Sequence, residues 1–387
     1  MKVLHVVNSL GRGSAGMWLM EVLRLWRRDG TDAAHFDFLA TGRLPDYHDE
    51  EARRYGCAVR HVADGRFYSQ AFARGLREML RAGRYDVIHD HADYASGWHF
   101  LAGRGALPAL RITHLHPAND ASRTDTLSRR PRAGLGGRFV ARYATHIAAP
   151  SQQVLSDYGF DAPRFAHIGK VILHRGFDTA LPRDVTEERQ AVRREFGWPV
   201  DARIILFTGR VDPSPDADNS WNEKDAAFAI AIVAEAARRD QRIRMILAGA
   251  KSAAVRVLEH RVAEAGFAGH MQFAEVPGDR KRLMCAADLL LLPSRAEEPG
   301  MAAVEAQAAG LPVLASTVVS RDCVVVPQLV RFESLQHGAS AWAASLLDHA
   351  ARPREIAEAN RRVAASPFGI KNSAAALMAL YREQRPA

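Results

Sequence analysis

Two doubly wound α/β domains are the fold that this sequence predicts, and three observations predict it. At 387 residues the chain is too long for one ordinary core. Hydrophobic residues make up 48% of it, enough for two packed interiors. Short apolar runs alternate with amphipathic stretches through both halves, which is the pattern of a parallel sheet with helices on both faces.

In chain order, the first strands are expected at Val3 to Val7, Phe36 to Ala40, Ala58 to Val62, Asp86 to His89, Leu110 to His116, His146 to Ala149 and Lys170 to Leu173. Helices fit the stretches near 15–29, 46–56, 69–82 and 94–104. Phe177 to Trp198, charged and proline-bearing, reads as a linker with a short helix from about Glu187 to Phe196. A second alternation starts at Arg203 to Gly209 and continues through Met245 to Gly249, Met271 to Ala274, Leu289 to Leu292 and Val313 to Ala315. One helix-like stretch near 339–363 follows. Ser366-Pro367-Phe368 then breaks the pattern, and a final helix from about Lys371 to Arg382 is expected to cross back onto the first domain. The expected division is 1–180, 181–365 and a return helix within 366–387, with the two domains facing one cleft.

A net charge of +8 is compatible with anionic substrates, nucleic acid or an acidic membrane, and selects none of them. The usual nucleic-acid reader motifs are absent. Arg123, Arg129, Arg130, Arg132, Arg138 and Arg142 cluster against the single acid Asp125, with Leu127, Leu135, Phe139 and Val140 interspersed. Such a segment, 123–142, suits anionic lipid headgroups and equally a solvated helix. No run reaches the roughly 18 apolar residues that a membrane span needs, and the first apolar run meets Gly11 too soon for a signal peptide. Cys57, Cys285 and Cys323 match neither a disulfide framework nor a zinc pattern. The expected location is cytoplasmic, peripheral on the inner face of the plasma membrane if the basic segment binds lipid.

The most informative stretch is Ser294 to Ser316. Leu289 to Leu292, closed by Pro293, suits a strand buried on both faces; Met301 to Ala309 suits a helix, stopped by Gly310 and Pro312. In an open α/β sheet, ligands collect at the carboxyl ends of strands, where helix N-termini aim N–H groups at anions. Gly300 would let a ligand approach the backbone there. Glu297 and Glu305 can reach that same place, and ionised carboxylates accept hydrogen bonds from paired sugar hydroxyls. Upstream, Arg210 follows a strand and Lys224 opens a helix, so the two cations can clamp a pyrophosphate.

Gly11-Arg12-Gly13-Ser14-Ala15-Gly16 lies between the first strand and its helix. It is a poor nicotinamide fingerprint, because no acid ends the second strand; Asp37 lies inside it. His114 and His116 end one strand and share a face, as do His89 and His91 one strand earlier. The pairs could bind metal, pack structurally or contact a sugar; no carboxylate or cysteine pattern completes a metal site.

With those residues in place, nearly the whole chain resembles the retaining glycosyltransferases of family 4, which have the GT-B fold. Glu297-x7-Glu305 with Gly310-Leu311-Pro312 looks like the family's donor motif, Arg210 and Lys224 like its pyrophosphate clamp, Gly13 to Gly16 like its glycine loop, and His116 or His114 like its active-site histidine. Phe36-Asp37-Phe38-Leu39, Arg111 to His116 and Gln307 to Pro312 are similar to the branch associated with capsule and exopolysaccharide assembly. The chain departs from the family pattern at Glu298 and Pro299, at Ser14 and at His174-Arg175-Gly176-Phe177-Asp178, and its 210-to-224 loop is long. The resemblance implies transfer of a hexosyl unit from a nucleotide diphosphate sugar, UDP before GDP, to a glycan or lipid-linked acceptor, with retention. It implies Glu305 on the ribose, Glu297, Gly300 and Met301 on the sugar and phosphate, and no cofactor; a missing Asp-x-Asp motif agrees with metal independence. A nucleotide-sugar epimerase or hydrolase of the same architecture, or a silent nucleotide-sugar-binding scaffold, remains as an alternative.

Overall fold

A computed structural model of the chain describes residues 1–11, 14–31, 33–42, 46–62, 69–116, 130–209, 224–249, 253–264, 266–275, 280–297 and 299–383. Among the described residues two compact units result: those within 1–116, 130–178 and 367–383 form one, and those within 179–366 the other.

In the first unit, seven described strands run parallel: β1 (Lys2–Val7), β2 (His35–Ala40), β3 (Val59–His61), β4 (Val87–Asp90), β5 (Leu110–His114), β6 (His146–Ala149) and β7 (Gly169–Ile172). Their order is β3-β2-β1-β4-β5-β6-β7, so the sheet reverses direction between β1 and β4. Period-two alternation sends Val3 and Val7 to one face and Leu4 and Val6 to the other, and both faces are buried. The first face lies under the helices Ser14–Arg28 and Ile370–Arg382, which supply Trp18, Leu19, Leu377 and Tyr381. The second lies under Gln70–Gly83, with Phe72 and Leu76, and under Ala95–Ala102 with Phe100. Ser69 caps Gln70–Gly83 by accepting from the Phe72 amide at 3.1 Å.

The terminal helix does return to this unit. Ser373 Oγ accepts from Trp18 Nε1 at 2.9 Å and from the Gly176 amide at 2.9 Å, and donates to the His174 carbonyl at 2.6 Å. One hydroxyl thus ties the helix Ile370–Arg382, the helix Ser14–Arg28 and the segment after β7 together.

The second unit has six described parallel strands: β8 (Arg203–Thr208), β9 (Ile243–Gly249), β10 (Met271–Glu275), β11 (Leu289–Leu292), β12 (Val313–Ser316) and β13 (Val330–Glu333). The order β10-β9-β8-β11-β12-β13 reverses between β8 and β11. Leu289 to Leu292 are buried throughout, as a strand covered on both faces requires. Gly310, at φ 63°, ends the helix Met301–Ala308 as its position suggested. The stretch near 339–363 is two helices, Ala339–Ala350 and Ile356–Ala365, because Pro353 cannot continue the first.

Candidate active site

The donor-side residues converge at the carboxyl ends of β8 and β11, the crevice position where an open α/β sheet reverses. Gly209 follows β8, and a Cβ there would sit 3.0 Å from Lys224 Cγ, so the lysine stem crosses the strand end. Lys224 donates to the Glu297 carboxylate. Ser294 Oγ donates to the same carboxylate at 3.3 Å. Asp225 fixes this arrangement from behind: one oxygen caps the helix Ala226–Arg239 at Phe228 N, and the other accepts from Arg295 Nε at 2.8 Å. The loops after β8 and β11 are therefore joined by two ion pairs.

Gly300 caps the helix Met301–Ala308 with φ 76°. A side chain there would press on Cys323 Cβ at 3.1 Å and Val319 Cγ1 at 3.2 Å, so only glycine keeps the turn. Glu305 sits one turn further on. Arg280, which opens the helix Arg280–Ala286, grips it with Nε to Oε2 at 2.8 Å and Nη2 to Oε1 at 3.0 Å. Burial pushes the Glu305 carboxyl above its usual range; Arg280 opposes the rise and Glu297 adds to it. Lys224, Glu297, Gly300, Met301 and Glu305 are thus brought together, whereas Arg210 and Glu298 lie outside the described residues. Arg280 was not legible in advance, since its partner is 25 residues away and its own Arg-Lys-Arg run resembles a solvated turn.

At the β1–β4 reversal of the first unit, the two histidine pairs stack as one column with a fifth member, His5. His5 lies in register with His89. His89 and His91 stack at 4.4 Å, His91 and His114 at 5.0 Å, and His114 and His116 at 5.0 Å between ring centroids. Hydrogen bonds link four of the rings through Tyr381. His91 Nε2 meets His5 Nδ1 at 3.1 Å, His5 Nε2 meets Tyr381 OH at 3.4 Å, Tyr381 OH meets His89 Nδ1 at 2.7 Å, and His89 Nε2 meets His114 Nδ1 at 3.0 Å. Burial pushes all five imidazoles down, His91 to about 4, so they are neutral at pH 7. Nitrogens of His5, His89 and His91 lie within 4.8 Å of one another, a donor set that could hold a metal ion. Every one of those nitrogens except His91 Nδ1 is already spent on a neighbour, which favours a hydrogen-bonded column over a metal centre.

Asp37 is taken up structurally, accepting from Ala58 N at 2.7 Å and Tyr85 OH at 2.8 Å, so it is not a ribose ligand. A Cβ on Gly16 would lie 3.1 Å from backbone atoms of Ser9, Leu10 and Gly11; the glycine seats the helix Ser14–Arg28 on the loop after β1. Gly13 lies outside the described residues.

Residues 13–168 match the family described as Glycosyl transferase 4-like domain, and residues 169–319 match Family 4 Glycosyltransferase in conflict systems. A D-inositol 3-phosphate glycosyltransferase of Mycobacterium tuberculosis (strain H37Ra) is 30% identical over 363 residues, covering 84% of this chain and 70% of that one. The chain belongs to glycosyltransferase family 4. Its relatives include the D-inositol 3-phosphate glycosyltransferase of Xylanimonas cellulosilytica, 28% identical over 97% of this chain and 94% of that one. The fold of this glycosyltransferase is GT-B. Anabaena HepE in complex with UDP-glucose superposes with a TM-score of 0.73 at 19% identity over 98% of both chains. WaaG, a glycosyltransferase involved in lipopolysaccharide biosynthesis, gives 0.62 at 15% identity over 99% of this chain and 96% of that one.

Of the basic segment, residues 123–129 lie outside the described residues, and the part that is described offers less apolar surface than its sequence suggested. In the helix Arg130–Tyr143, Val140 is buried and Phe139 packs on Trp98 at 4.9 Å, while Leu135 is exposed. Close approach to the helix Ala95–Ala102 explains this, since a Cβ on Gly97 would lie 2.2 Å from the Gly136 carbonyl. No helix among the described residues is long and apolar enough to cross a membrane.

Proposed function

We propose that this glycosyltransferase moves a hexosyl unit from a UDP-sugar to an acceptor hydroxyl in polysaccharide or glycoconjugate biosynthesis, with retention at the anomeric carbon and without an essential metal. The observation that carries the reading is the gathering of Lys224, Glu297 and Glu305 around the start of Met301–Ala308 at the β8–β11 reversal.

Lys224 rests on Glu297. A bound diphosphate competes for that ammonium as charge accumulates on the leaving group, and Arg210 shares the load. Glu297, released, accepts from the sugar hydroxyls, and Glu305 accepts from the ribose. The Gly300 turn brings the backbone N–H groups of the helix start to the phosphate and sugar. The family resemblance assigns to His116 or His114 the contact with the sugar near the reacting carbon. The structures of HepE with UDP and with UDP-glucose favour uridine over guanosine as the base to try first.

The test follows nucleoside diphosphate release from UDP- and GDP-sugars with and without EDTA, with the product anomer assigned by NMR. Release that resists EDTA, with retained configuration, is expected. Absence of binding by every nucleotide would remove the roles given to Arg210, Lys224 and Glu305 together.

A further inference from the structure

The hydrogen-bonded histidine chain has two open ends, and both belong to rings that feel one buried cation. At one end His91 Nδ1 has no partner, and at the other His114 Nε2 has none; His116 Nε2 beside them is also unpaired. These three rings are mutual neighbours, 5.0, 5.0 and 5.6 Å apart between centroids. The Arg175 guanidinium lies close enough to all three to push each imidazole down.

Arg175 is 7% exposed, and its Nη1 has no hydrogen-bond partner. Among the described residues no carboxylate offsets its charge: burial is the sole influence on it, and pushes it down to about 10. Asp90, the acid beside His91, is saturated by Ala92 N at 3.0 Å, Ser96 Oγ at 2.9 Å and His99 Nδ1 at 2.6 Å. Asp93 accepts from the His116 amide at 2.7 Å and is pushed up to about 7 by burial, so it supplies at most a partial charge at neutral pH. A buried guanidinium without a counter-anion is costly, and the segment carrying it is clamped by Ser373 on both sides of Arg175. That clamp fixes the backbone that carries the cation; it does not neutralise it.

We propose that Arg175, with His91, His114 and His116, forms a binding site for one phosphoryl group within the first unit. Arg175 supplies the planar fork that suits a phosphoryl group, and the unpaired imidazole nitrogens supply further donors. Proton bookkeeping sharpens the idea. The chain His91–His5–Tyr381–His89–His114 holds four neutral imidazoles and one phenol, hence five protons; four are used in its four hydrogen bonds, and one remains for one end. A sixth proton makes both ends donors. Phosphate binding therefore takes up a proton and strengthens as pH falls, with Asp90, Asp93 and Arg175 the other ionisable groups facing the column. Assigning the group to a phosphorylated acceptor rests on the transferase reading above; the site itself does not.

Inorganic phosphate is the first probe, titrated calorimetrically into donor-free protein at matched ionic strength in two buffers of different ionisation enthalpy. Binding with proton uptake is expected, at least tenfold weaker in Arg175→Met and partly retained in Arg175→Lys. Phosphate should raise the melting temperature of the wild type and not that of Arg175→Met. Competition then identifies the source. Displacement by sugar or polyol monophosphates, but not by their dephosphorylated forms, supports an acceptor; displacement by UDP alone supports the departing diphosphate. No phosphate binding to the wild type, or equal binding to folded Arg175→Met, overturns the site. Donor hydrolysis without acceptor reads the Lys224 and Glu305 region separately, so the two readings fail independently.

Discussion

Lys224 donates to the carboxylate of Glu297 across 73 positions of sequence, so the cation after β8 and the acid after β11 neutralise each other. A diphosphate must break this pair to use Lys224. Replacing Lys224 with alanine should lower donor kcat/KM more than tenfold, since a charge-assisted contact is worth about 1.5–3 kcal/mol. Glu297→Gln should keep or raise UDP affinity, since it releases Lys224, and should lower turnover of the UDP-sugar, because the assigned partner of Glu297 is the sugar. Parallel measurement of UDP affinity and turnover decides; both variants within threefold of wild type on both readouts would sink the assignment.

Arg280 governs whether Glu305 is an acceptor. The carboxyl is already raised by burial, and Arg280 is the largest force holding it down. Arg280→Ala should raise it further, so that nucleotide binding weakens most at the acid end of the pH range and recovers as pH rises and Glu305 ionises. Glu305→Gln should weaken binding without that recovery. The check is nucleotide affinity against pH for the three proteins; an Arg280→Ala loss that does not vary with pH would show that Arg280 touches the nucleotide directly.

What could be read in advance was what sequence neighbours encode. Buried strands such as Leu289–Leu292 announce themselves as apolar runs, and Glu297, Gly300 and Glu305 share one strand-to-helix connection. The strand Val330–Glu333 did not, because it is half-buried at the sheet edge and half of it is charged. Pro353 divided a helix that periodicity joined, and the adjacent Arg354 donates to carbonyls of Cys285, Ala287, Ala309 and Gly310, none of them near it in sequence. His5 stands alone in an apolar strand of the sequence, and only the fold gives it company: β4 places His89 beside it and the terminal helix brings Tyr381, 376 residues away. Arg175 was visible as a departure from a family motif, but its lack of a counter-charge is a property of the folded core alone.

Asp93 should make the fold less stable as pH rises. Its native carboxyl is pushed up to about 7 by burial, well above an unfolded aspartate near 3.9, so the stability it permits is complete below about pH 4 and lost as pH climbs through 7. Its backbone is left-handed, at φ 52°, which asparagine tolerates. Asp93→Asn should therefore gain on the wild type steadily between pH 4 and 8 in urea unfolding. A constant difference across that range would mean that Asp93 is ionised in the fold at every pH.

The histidine column should make the protein acid-labile. All five imidazoles are pushed down by burial, whereas unfolded histidine titrates near 6.5, so the unfolded chain binds more protons as pH falls from about 6.5 toward 4 and stability falls with it. Tyr381→Phe removes the link between His5 and His89 and should cost about 1–3 kcal/mol at pH 7 by leaving buried nitrogens unpaired. Urea midpoints in phosphate-free buffer read both effects; a flat profile from pH 7 to 5 would contradict the buried neutral column.

Gly300 and Gly197 separate backbone strain from site geometry. Both have positive φ, 76° and 66°, so alanine at either pays the left-handed penalty of roughly 1–2 kcal/mol. Around Gly197 a new Cβ meets nothing within 4 Å, whereas at Gly300 it presses on Cys323 and Val319. Those neighbours are themselves held, since Gln307 Nε2 donates to the Cys323 carbonyl at 2.7 Å and its Oε1 accepts from Val325 N and Val326 N. Gly300→Ala should therefore lose more stability than Gly197→Ala, and should also lose donor turnover, because relief of the clash moves the start of Met301–Ala308 away from Glu297. If the two variants melt together and Gly300→Ala keeps full turnover, the turn is not what positions the donor.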